Sequence, residues 1–190
     1  MTVQRILLIA CALLSLPAFA QEDITVDFQY QGTSSTDLSK MRGPIHIAEF
    51  TDGRGSENSR LVTPIDLGNS AASAGYQAEL PLAEIIRDAF VQAFEHGGAT
   101  LTEAGDSMRI VGNLLASEVT MADREGVPSI QITLRTNIQL QGGGRTIWQT
   151  TLFGRGIVPA SEGLVAAIHA ALDRSIRELL GDDYFLLEIM

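Results

Sequence analysis

An alternation of apolar and polar residues marks the middle of the chain. From Ile130 to Gln141, mostly isoleucine and leucine alternate with glutamine, threonine, arginine and asparagine. A period of two predicts a strand with one buried and one hydrated face. Such a strand would extend over about 40 Å, so we expect a β-bulge or a strong twist along it. Apolar segments at 108–121 and 145–153 flank it, and the glycines at 142–144 form a turn, which predicts an antiparallel meander of two hairpins.

Two other segments show the spacing of three to four residues between apolar side chains that predicts amphipathic helices. The first covers residues 80–96, with Pro81 in its first turn and two glycines directly after His96. The second begins at Ser161, a suitable N-cap residue, and continues to Leu179. The residues predicted to face inward are Leu82, Ile85, Ile86, Ala89, Phe90, Ala93 and Phe94 in the first helix and Leu164, Ile168, Ala171, Leu172, Ser175, Ile176 and Leu179 in the second.

The remaining elements are shorter. A polar connector separates the first two strands, and the segment 66–77, which is rich in small and polar residues, is predicted to be mobile. Strands are predicted at residues 24–30, 44–50 and 184–189, with a short edge strand at 61–65.

The element order, without the edge strand, is β-β-α-β-β-β-α-β. We therefore predict an α+β fold in which two helices pack on one face of a mainly antiparallel sheet. The length fits one domain over residues 21–190, in which residues 21–43 supply the N-terminal strand and the connector.

Residues 1–20 have the organisation of a secretion signal, with Arg5 before an apolar stretch and a small-x-small motif that ends at Ala20. Pro17 interrupts the apolar run, which disfavours a membrane helix. We predict cleavage after Ala20 and a soluble periplasmic product. In the alternative, cleavage at the lipobox-like sequence that ends at Cys11 and acylation of this cysteine would give an outer-membrane lipoprotein. Cleavage there would leave an apolar core shorter than the about seven residues that a signal needs, so this alternative is less favoured.

Composition removes several classes of function. The chain has 23 acidic and 13 basic residues and a formal net charge of −10, which becomes −11 when Arg5 is removed with the signal. A surface of this charge repels phosphate backbones, so no nucleic-acid partner is predicted. Because Cys11 is the only cysteine, the mature chain has no disulfide, thiolate metal site or cysteine nucleophile.

The most site-like segment is EFTDGRGSENSR, residues 49–60. Asp52 and Arg54 could clamp a ligand or polarise a bond, Glu57 could act as a base, and Arg60 adds a second cation. In the simpler interpretation, Asp52 starts a turn and one of the arginines pairs locally with Glu49 or Asp52. We favour local pairing, and we keep Asp52, Arg54, Glu57 and Arg60 as candidates for binding a partner or a ligand.

Motifs for catalysis are absent from the sequence. It contains no G-x-S-x-G, no phosphate-binding G-x-x-x-x-G-K-[ST], no calcium-loop spacing and no histidine pair at metal-ligand spacing. His46, His96 and His169 are far apart along the chain, and structural roles are predicted for all three. The sequence therefore predicts no catalytic residue, no metal site, no cofactor and no enzyme.

The order of several motifs resembles a family of bacterial envelope proteins. A T-D-G-R loop at 51–54 precedes the helix PLAEIIRDAFVQAFEHGG, the strands MRIVGNLLASEV and IQITLRTNIQLQ, the segment IWQTTLFGRG and the helix ALDRSIRELLGDDYF. This order resembles the YajG-type lipoproteins of Gram-negative envelopes and, more distantly, CsgG-type and transporter-auxiliary envelope modules. The resemblance implies a periplasm-facing, non-enzymatic domain. The chain departs from the family because Cys11 lies too early for the usual lipobox.

Three hypotheses of function are compatible with these patterns. The leading one is a binding or assembly module of the cell envelope, which docks on an envelope protein through the loop side or a sheet edge. The alternative is a small-molecule or lipid-binding accessory subunit of an envelope transporter, which needs apolar helix residues beyond those that the sheet can cover. The third is a hydrolase, which requires Asp52, Arg54, Glu57 and His46 to converge. No oligomeric state follows from the sequence.

Overall fold

The computed structural model describes residues 22–64, 75–103 and 108–190 of the chain. The predicted signal with Cys11, its cleavage site after Ala20 and most of the segment 66–77 lie outside the described residues. The strands are β1 (Glu22–Ile24), β2 (His46–Ile47), β3 (Thr51–Asp52), β4 (Leu61–Pro64), β5 (Gly75–Ala78), β6 (Met108–Arg124), β7 (Val127–Gly142) and β8 (Arg145–Pro159), and the helices are α1 (Leu82–His96), α2 (Gly163–Leu180) and α3 (Asp183–Ile189), with short 3-10 turns at Leu38–Lys40 and Ala160–Glu162.

The larger sheet contains five strands in the order β2-β6-β7-β8, with β3 pairing beside β2 along the same edge of β6. Strands β6, β7 and β8 are antiparallel neighbours, whereas β2 and β3 both run parallel to β6. The predicted meander is therefore confirmed, and each of its three strands is longer than the sequence pattern indicated. Strand β8 forms the outer edge of this sheet.

The pairing along β7 is irregular at two places. The register with β6 shifts between Leu114 and Ala116, and the register with β8 shifts between Leu140 and Gln141. In both cases the additional residue belongs to the neighbouring strand. Bulges of this kind increase the local twist, so the irregularity expected along the long central strand is confirmed.

A smaller sheet has the order β1-β5-β4, with β5 parallel to β1 and antiparallel to β4. Its central strand corrects the prediction of mobility for residues 75–77, which lie in β5, whereas residues 66–74 lie outside the described residues. Ala78 is fully buried, and its N–H donates to the carbonyl oxygen of Arg60 at 2.9 Å.

The N-terminal strand is shorter than predicted. Only β1 is paired, and residues 25–30 lie outside the strands of the described part of the chain. Side chains satisfy their backbone instead: Val26 N–H donates to the Glu79 carboxylate at 2.9 and 3.0 Å. In α1, Gln92 accepts from Tyr30 N–H and donates to the Phe28 carbonyl oxygen, both at 3.0 Å. The alternation of residues 24–30 thus reflects burial of Val26 and Phe28 and not membership of a sheet.

The strand predicted at residues 44–50 is shorter in the structure, where only β2 falls within it and β3 follows after it. Ala48 N–H still donates to the carbonyl oxygen of Ile110 at 2.9 Å, but Phe50 then leaves the sheet. Its ring packs over Gly112, where a Cβ would collide with it, and lies 5.9 Å from the Phe90 ring of α1. The chain returns to pair with β6 at Thr51. Burial of the Phe50 ring therefore explains the interruption.

Helices α1 and α2 pack against one face of the larger sheet, as predicted. Glycines allow the approach of α2 to β8: a Cβ on Gly156 would collide with the carbonyl oxygen of Ala167, and one on Gly154 would collide with Ser175 and Ala171. The sheet residues under the helices are at most 1% exposed and comprise Ile110, Leu114, Ile132, Leu134, Ile138, Leu140 and Leu152.

The C-terminal segment is a helix, which corrects the strand predicted at residues 184–189. Asp182 caps α3 by accepting from the N–H of Phe185 at 2.8 Å. Phe185 and Ile189, four residues apart, both point into the core and are fully buried. The Phe185 ring lies 5.0 Å from that of the half-buried Trp148. A short apolar run satisfies either period, and the cap together with burial of Phe185 and Ile189 on one helix face selects the helix.

The α+β class is confirmed, and the order differs by the additional short strands and the terminal helix: β-β-β-β-β-α-β-β-β-α-α. Among the residues described, no helix combines the length and the apolar character needed to cross a membrane. A single domain over residues 21–190 stays a prediction.

Candidate functional site

Asp52 and Arg54 form a two-pronged ion pair at the start of the loop. Arg54 Nε lies 2.9 Å from Asp52 Oδ1, and Nη2 lies 2.6 Å from Oδ2. Asp52 is held in place by strand pairing, because the next residue, Gly53, donates its N–H to Leu114 of β6 at 2.8 Å. The side chain of Arg54 is only 10% exposed and that of Asp52 only 13%. Local pairing of Asp52 with Arg54 is thus what the structure contains.

The remaining N–H groups of Arg54 bind backbone carbonyl oxygens. Nη1 donates to Leu61 at 2.5 Å and to Val62 at 3.5 Å, and Nη2 donates to Ser59 at 3.1 Å. With the two bonds to Asp52, these contacts occupy all five donors of the guanidinium. Arg54 therefore fastens the loop between β3 and β4 and has no donor left for an anionic ligand.

The ionisation of Asp52 follows from this geometry. Burial by itself raises the pKa of the Asp52 carboxyl, but the hydrogen bonds and the positive charge of Arg54 more than offset it, so the pKa lies below its ordinary value. Asp52 is consequently an anion at neutral pH. An anionic carboxylate engaged in this way is a structural partner and a poor general acid.

The other two candidates lie elsewhere. Arg60 makes different contacts: its Nε donates to the carbonyl oxygen of Ala78 at 2.7 Å, and its Nη2 lies 3.5 Å from Asp23 Oδ1. Arg60 thus connects β4 to the other two strands of the smaller sheet. Glu57 is exposed. The structure brings Asp52 and Arg54 together, and a role of Asp52, Arg54, Glu57 and Arg60 in binding stays a prediction.

His46 does not converge with the loop. In the register of β6, His46 pairs with Arg109 and Asp52 pairs with Leu114. Five residues of strand separate these positions, or about 17 Å. The hydrolase hypothesis required convergence, so the geometry removes its basis.

His46 instead lines a cleft of about 520 Å³ between β2 and α1. Arg87 lies in this cleft and donates from Nε to the carbonyl oxygen of Ile47 at 3.2 Å and from Nη1 to Asp88 at 2.9 Å. The acidic side chains at the cleft, Glu49 and Glu103, are both exposed, so neither is a desolvated acid beside the imidazole. Sequence analysis missed Arg87, because its contact with β2 joins residues 40 positions apart.

The other two histidines make aromatic contacts. The His96 ring packs edge-on against Tyr30, with centroids 5.4 Å apart, and covers Gly32. The His169 ring meets Phe28 in the same way at 5.6 Å. Both contacts attach the extended segment after β1 to the two helices, which is a structural role.

The comparisons with known proteins show a fold and no family. No family model matches the chain, and no curated protein matches its sequence. A DUF330 protein from Xanthomonas campestris has a similar structure, with a TM-score of 0.60 and 15% identity over 84% of this chain and 92% of that chain. At this identity the likeness shows the fold alone.

Two lipoproteins are more distant structural neighbours. The minor lipoprotein from Acinetobacter baumannii has a TM-score of 0.41 and 8% identity over 77% of this chain and 92% of its own. For lipoprotein GNA1162 from Neisseria meningitidis the TM-score is 0.28 and the identity 15%, over 72% and 99% of the two chains. Similarity at this level carries no conclusion about this chain.

Proposed function

We propose that this chain is a non-enzymatic, periplasm-facing module of the bacterial cell envelope that binds or assembles with an envelope protein. The signal-like residues 1–20 and the resemblance to YajG-type lipoproteins support the compartment. A lipid anchor through Cys11 is the alternative form of the same proposal.

The observation that carries the proposal is the use of Arg54 within the fold. In the loop with the most site-like sequence, the buried Asp52–Arg54 ion pair joins β3 to β4. His46 lies about 17 Å from Asp52 along the strand. Within residues 22–64, 75–103 and 108–190, no three His, Cys, Asp or Glu side chains are grouped so that they could hold a metal ion. These arrangements favour a surface for binding over a centre for turnover.

The apolar faces of the helices favour a protein partner over a lipid or a small apolar molecule. Phe90 and Phe94 of α1 and Leu172 and Ile176 of α2 are at most 1% exposed, because they pack into one core with the sheet. An accessory subunit that carries lipid between helices and sheet would need apolar residues left over from this core.

Photo-crosslinking in the producing cells tests the proposal. Because Lys40 is the only lysine, amine-reactive reagents would sample little of the surface. A photoreactive phenylalanine is better placed at Met121, Phe153 and Tyr184, which are 65%, 53% and 78% exposed. We expect an envelope protein to be captured from at least one of these positions. We also expect the mature chain in the periplasmic fraction to begin at Gln21.

One result would contradict the proposal, and another would select its anchored form. If none of the three positions captured an envelope protein while circular dichroism showed an intact fold, partner binding would be refuted. An acylated Cys11 as the mature N-terminus would replace the soluble form by the anchored one.

A further inference from the structure

The open edge of β8 carries a cluster of basic residues on an otherwise acidic chain. Arg155, Arg174 and Arg177 line a groove of about 620 Å³ between β8 and α2, together with Phe153 and one acidic residue, Glu178. Arg135 stands directly across from Phe153 on the neighbouring strand β7. We call Arg135, Phe153, Arg155, Arg174 and Arg177 the arginine patch. Its four cations are a large share of the 13 basic residues in a chain of net charge −10.

The guanidinium groups of the patch have no partners in the described part of the chain. All four arginines are exposed, and among the described residues none of their side chains forms a hydrogen bond or an ion pair. In contrast, Arg54 and Arg87 use their guanidinium groups to join elements. Phe153, at the centre of the patch, is 53% exposed. A half-exposed aromatic ring among arginines is the composition of a surface that binds a partner.

The backbone beside the patch also offers hydrogen bonds. The N–H of Phe153 points away from β7, since it lies 3.4 Å from Glu178 Oε2 of α2. In an antiparallel ladder, every second residue directs both its N–H and its C=O away from the partner strand. Thr151, Arg155 and Ile157 therefore direct theirs outward as well. Among the residues described, no strand pairs with this edge.

We propose that the β8 edge binds an extended acidic segment of a partner protein as an added strand. The inference rests on the proposed function and identifies the chemistry of the partner. The segment would bond to the outward backbone groups of β8, place carboxylates against Arg155, Arg174 and Arg177, and cover Phe153 with an apolar side chain. It would displace Glu178 from the N–H of Phe153.

Charge disfavours a second copy at this edge, and backbone hydrogen bonding disfavours a membrane. A second copy that added its own β8 would bring the two sets of arginines together, because the same patch meets itself in a two-fold interface. An anionic membrane would satisfy the arginines but could not use the outward backbone groups, which require an extended peptide.

A peptide titration tests the inference on the full mature chain. The probe is a synthetic peptide of alternating glutamate and valine, followed by fluorescence anisotropy and by amide exchange along β8. The controls are a peptide with lysine in place of glutamate and an acidic peptide with alternate backbone nitrogens methylated. We expect only the unmodified acidic peptide to bind and to slow exchange of the Arg155 and Ile157 amides. Its binding should become weaker with added salt.

Charge reversal gives the matched variants. The double variant Arg155→Glu/Arg177→Glu should bind the acidic peptide at least about tenfold more weakly. The double variant Arg109→Glu/Arg124→Glu makes the same change in net charge at exposed positions outside the patch and should bind like the unaltered chain. Urea unfolding of both variants checks that the fold is kept.

Several outcomes would overturn the inference. One is that the lysine peptide binds as tightly as the acidic peptide, and another is that the Arg155→Glu/Arg177→Glu variant binds the acidic peptide as tightly as the unaltered chain. A third is that no peptide binds, in which case the arginines only prevent the edge from pairing with a second copy of itself. Patch-dependent binding of phosphatidylglycerol vesicles without peptide binding would assign the patch to a membrane. A dimer that dissociates on charge reversal would assign it to a second copy.

The crosslinking positions separate this inference from the proposed function. Capture from Phe153 of an acidic segment, lost in Arg155→Glu/Arg177→Glu, supports both. Capture only from Met121 or Tyr184 would overturn the inference and leave the proposed function standing.

Discussion

Replacing Asp52 by asparagine removes the charge opposite Arg54 while keeping the size of the side chain and one oxygen acceptor. Loss of one partner from a buried ion pair costs about 3–5 kcal/mol, whereas an exposed pair contributes about 0–1 kcal/mol. This pair is 10% and 13% exposed, and Arg54 keeps its bonds to three backbone carbonyl oxygens in the variant. We therefore expect an intermediate loss of about 2 kcal/mol in the free energy of unfolding, or about 4–8 °C in Tm.

The effect should depend on pH in a defined direction. The pKa of Asp52 is lowered in the folded state by Arg54, so the stabilisation is complete above the unfolded-state pKa and is lost as the pH falls through the folded value. The difference between the unaltered chain and Asp52→Asn should be constant from about pH 7 to 5 and should shrink below about pH 4.

Urea unfolding followed by the fluorescence of Trp148, the only tryptophan, measures both quantities. The matched control is Asp23→Asn, because Asp23 is 79% exposed and lies 3.5 Å from Arg60. We expect this control to lose less than about 0.5 kcal/mol. The structural role assigned to the loop would be refuted if Asp52→Asn cost no more than Asp23→Asn, or if its cost were unchanged at low pH.

Three further substitutions test the packing of the fold. Gly156→Ala should destabilise the fold by about 1–3 kcal/mol through overpacking against α2. In the control Gly43→Ala the new Cβ meets no atom within 4 Å, so this change should be neutral or slightly stabilising. Equal urea midpoints of the two variants would contradict the overpacking at Gly156. Gln92→Ala should cost about 1–2 kcal/mol and accelerate exchange of the Tyr30 amide, and protection as in the unaltered chain would show that other contacts hold this segment. Asp182→Ala should remove the cap of α3 at a cost of about 1 kcal/mol, and an unchanged Tm would argue against the cap.

The candidate loop shows how far local sequence reaches. Asp52 and Arg54 are two residues apart, so their pairing could be inferred from a turn-forming sequence. The binding of Arg54 to the carbonyl oxygens of Ser59, Leu61 and Val62 could not, because it depends on where β4 returns beside β3. The sequence therefore raised the question of a site, and long-range packing determined that its charges are already used.

By itself, the sequence determined the α+β class, the meander of β6 to β8 and the two long helices. These elements extend over enough residues for a period of two or of 3.6 to be unambiguous. Short apolar runs do not have this property. Residues 184–189 fit either period, and only the cap at Asp182 and the contacts of Phe185 with the core select the helix.

Tertiary structure alone decided where the unpaired charges meet. Arg135 and Arg155 lie on two paired strands, and Arg174 and Arg177 lie on the helix that packs against the second of them. In the sequence these are isolated basic residues in an acidic chain. Electrostatic interactions depend on distance through space, so a patch built from residues up to about 40 positions apart becomes visible only when the strands pair and α2 packs on β8.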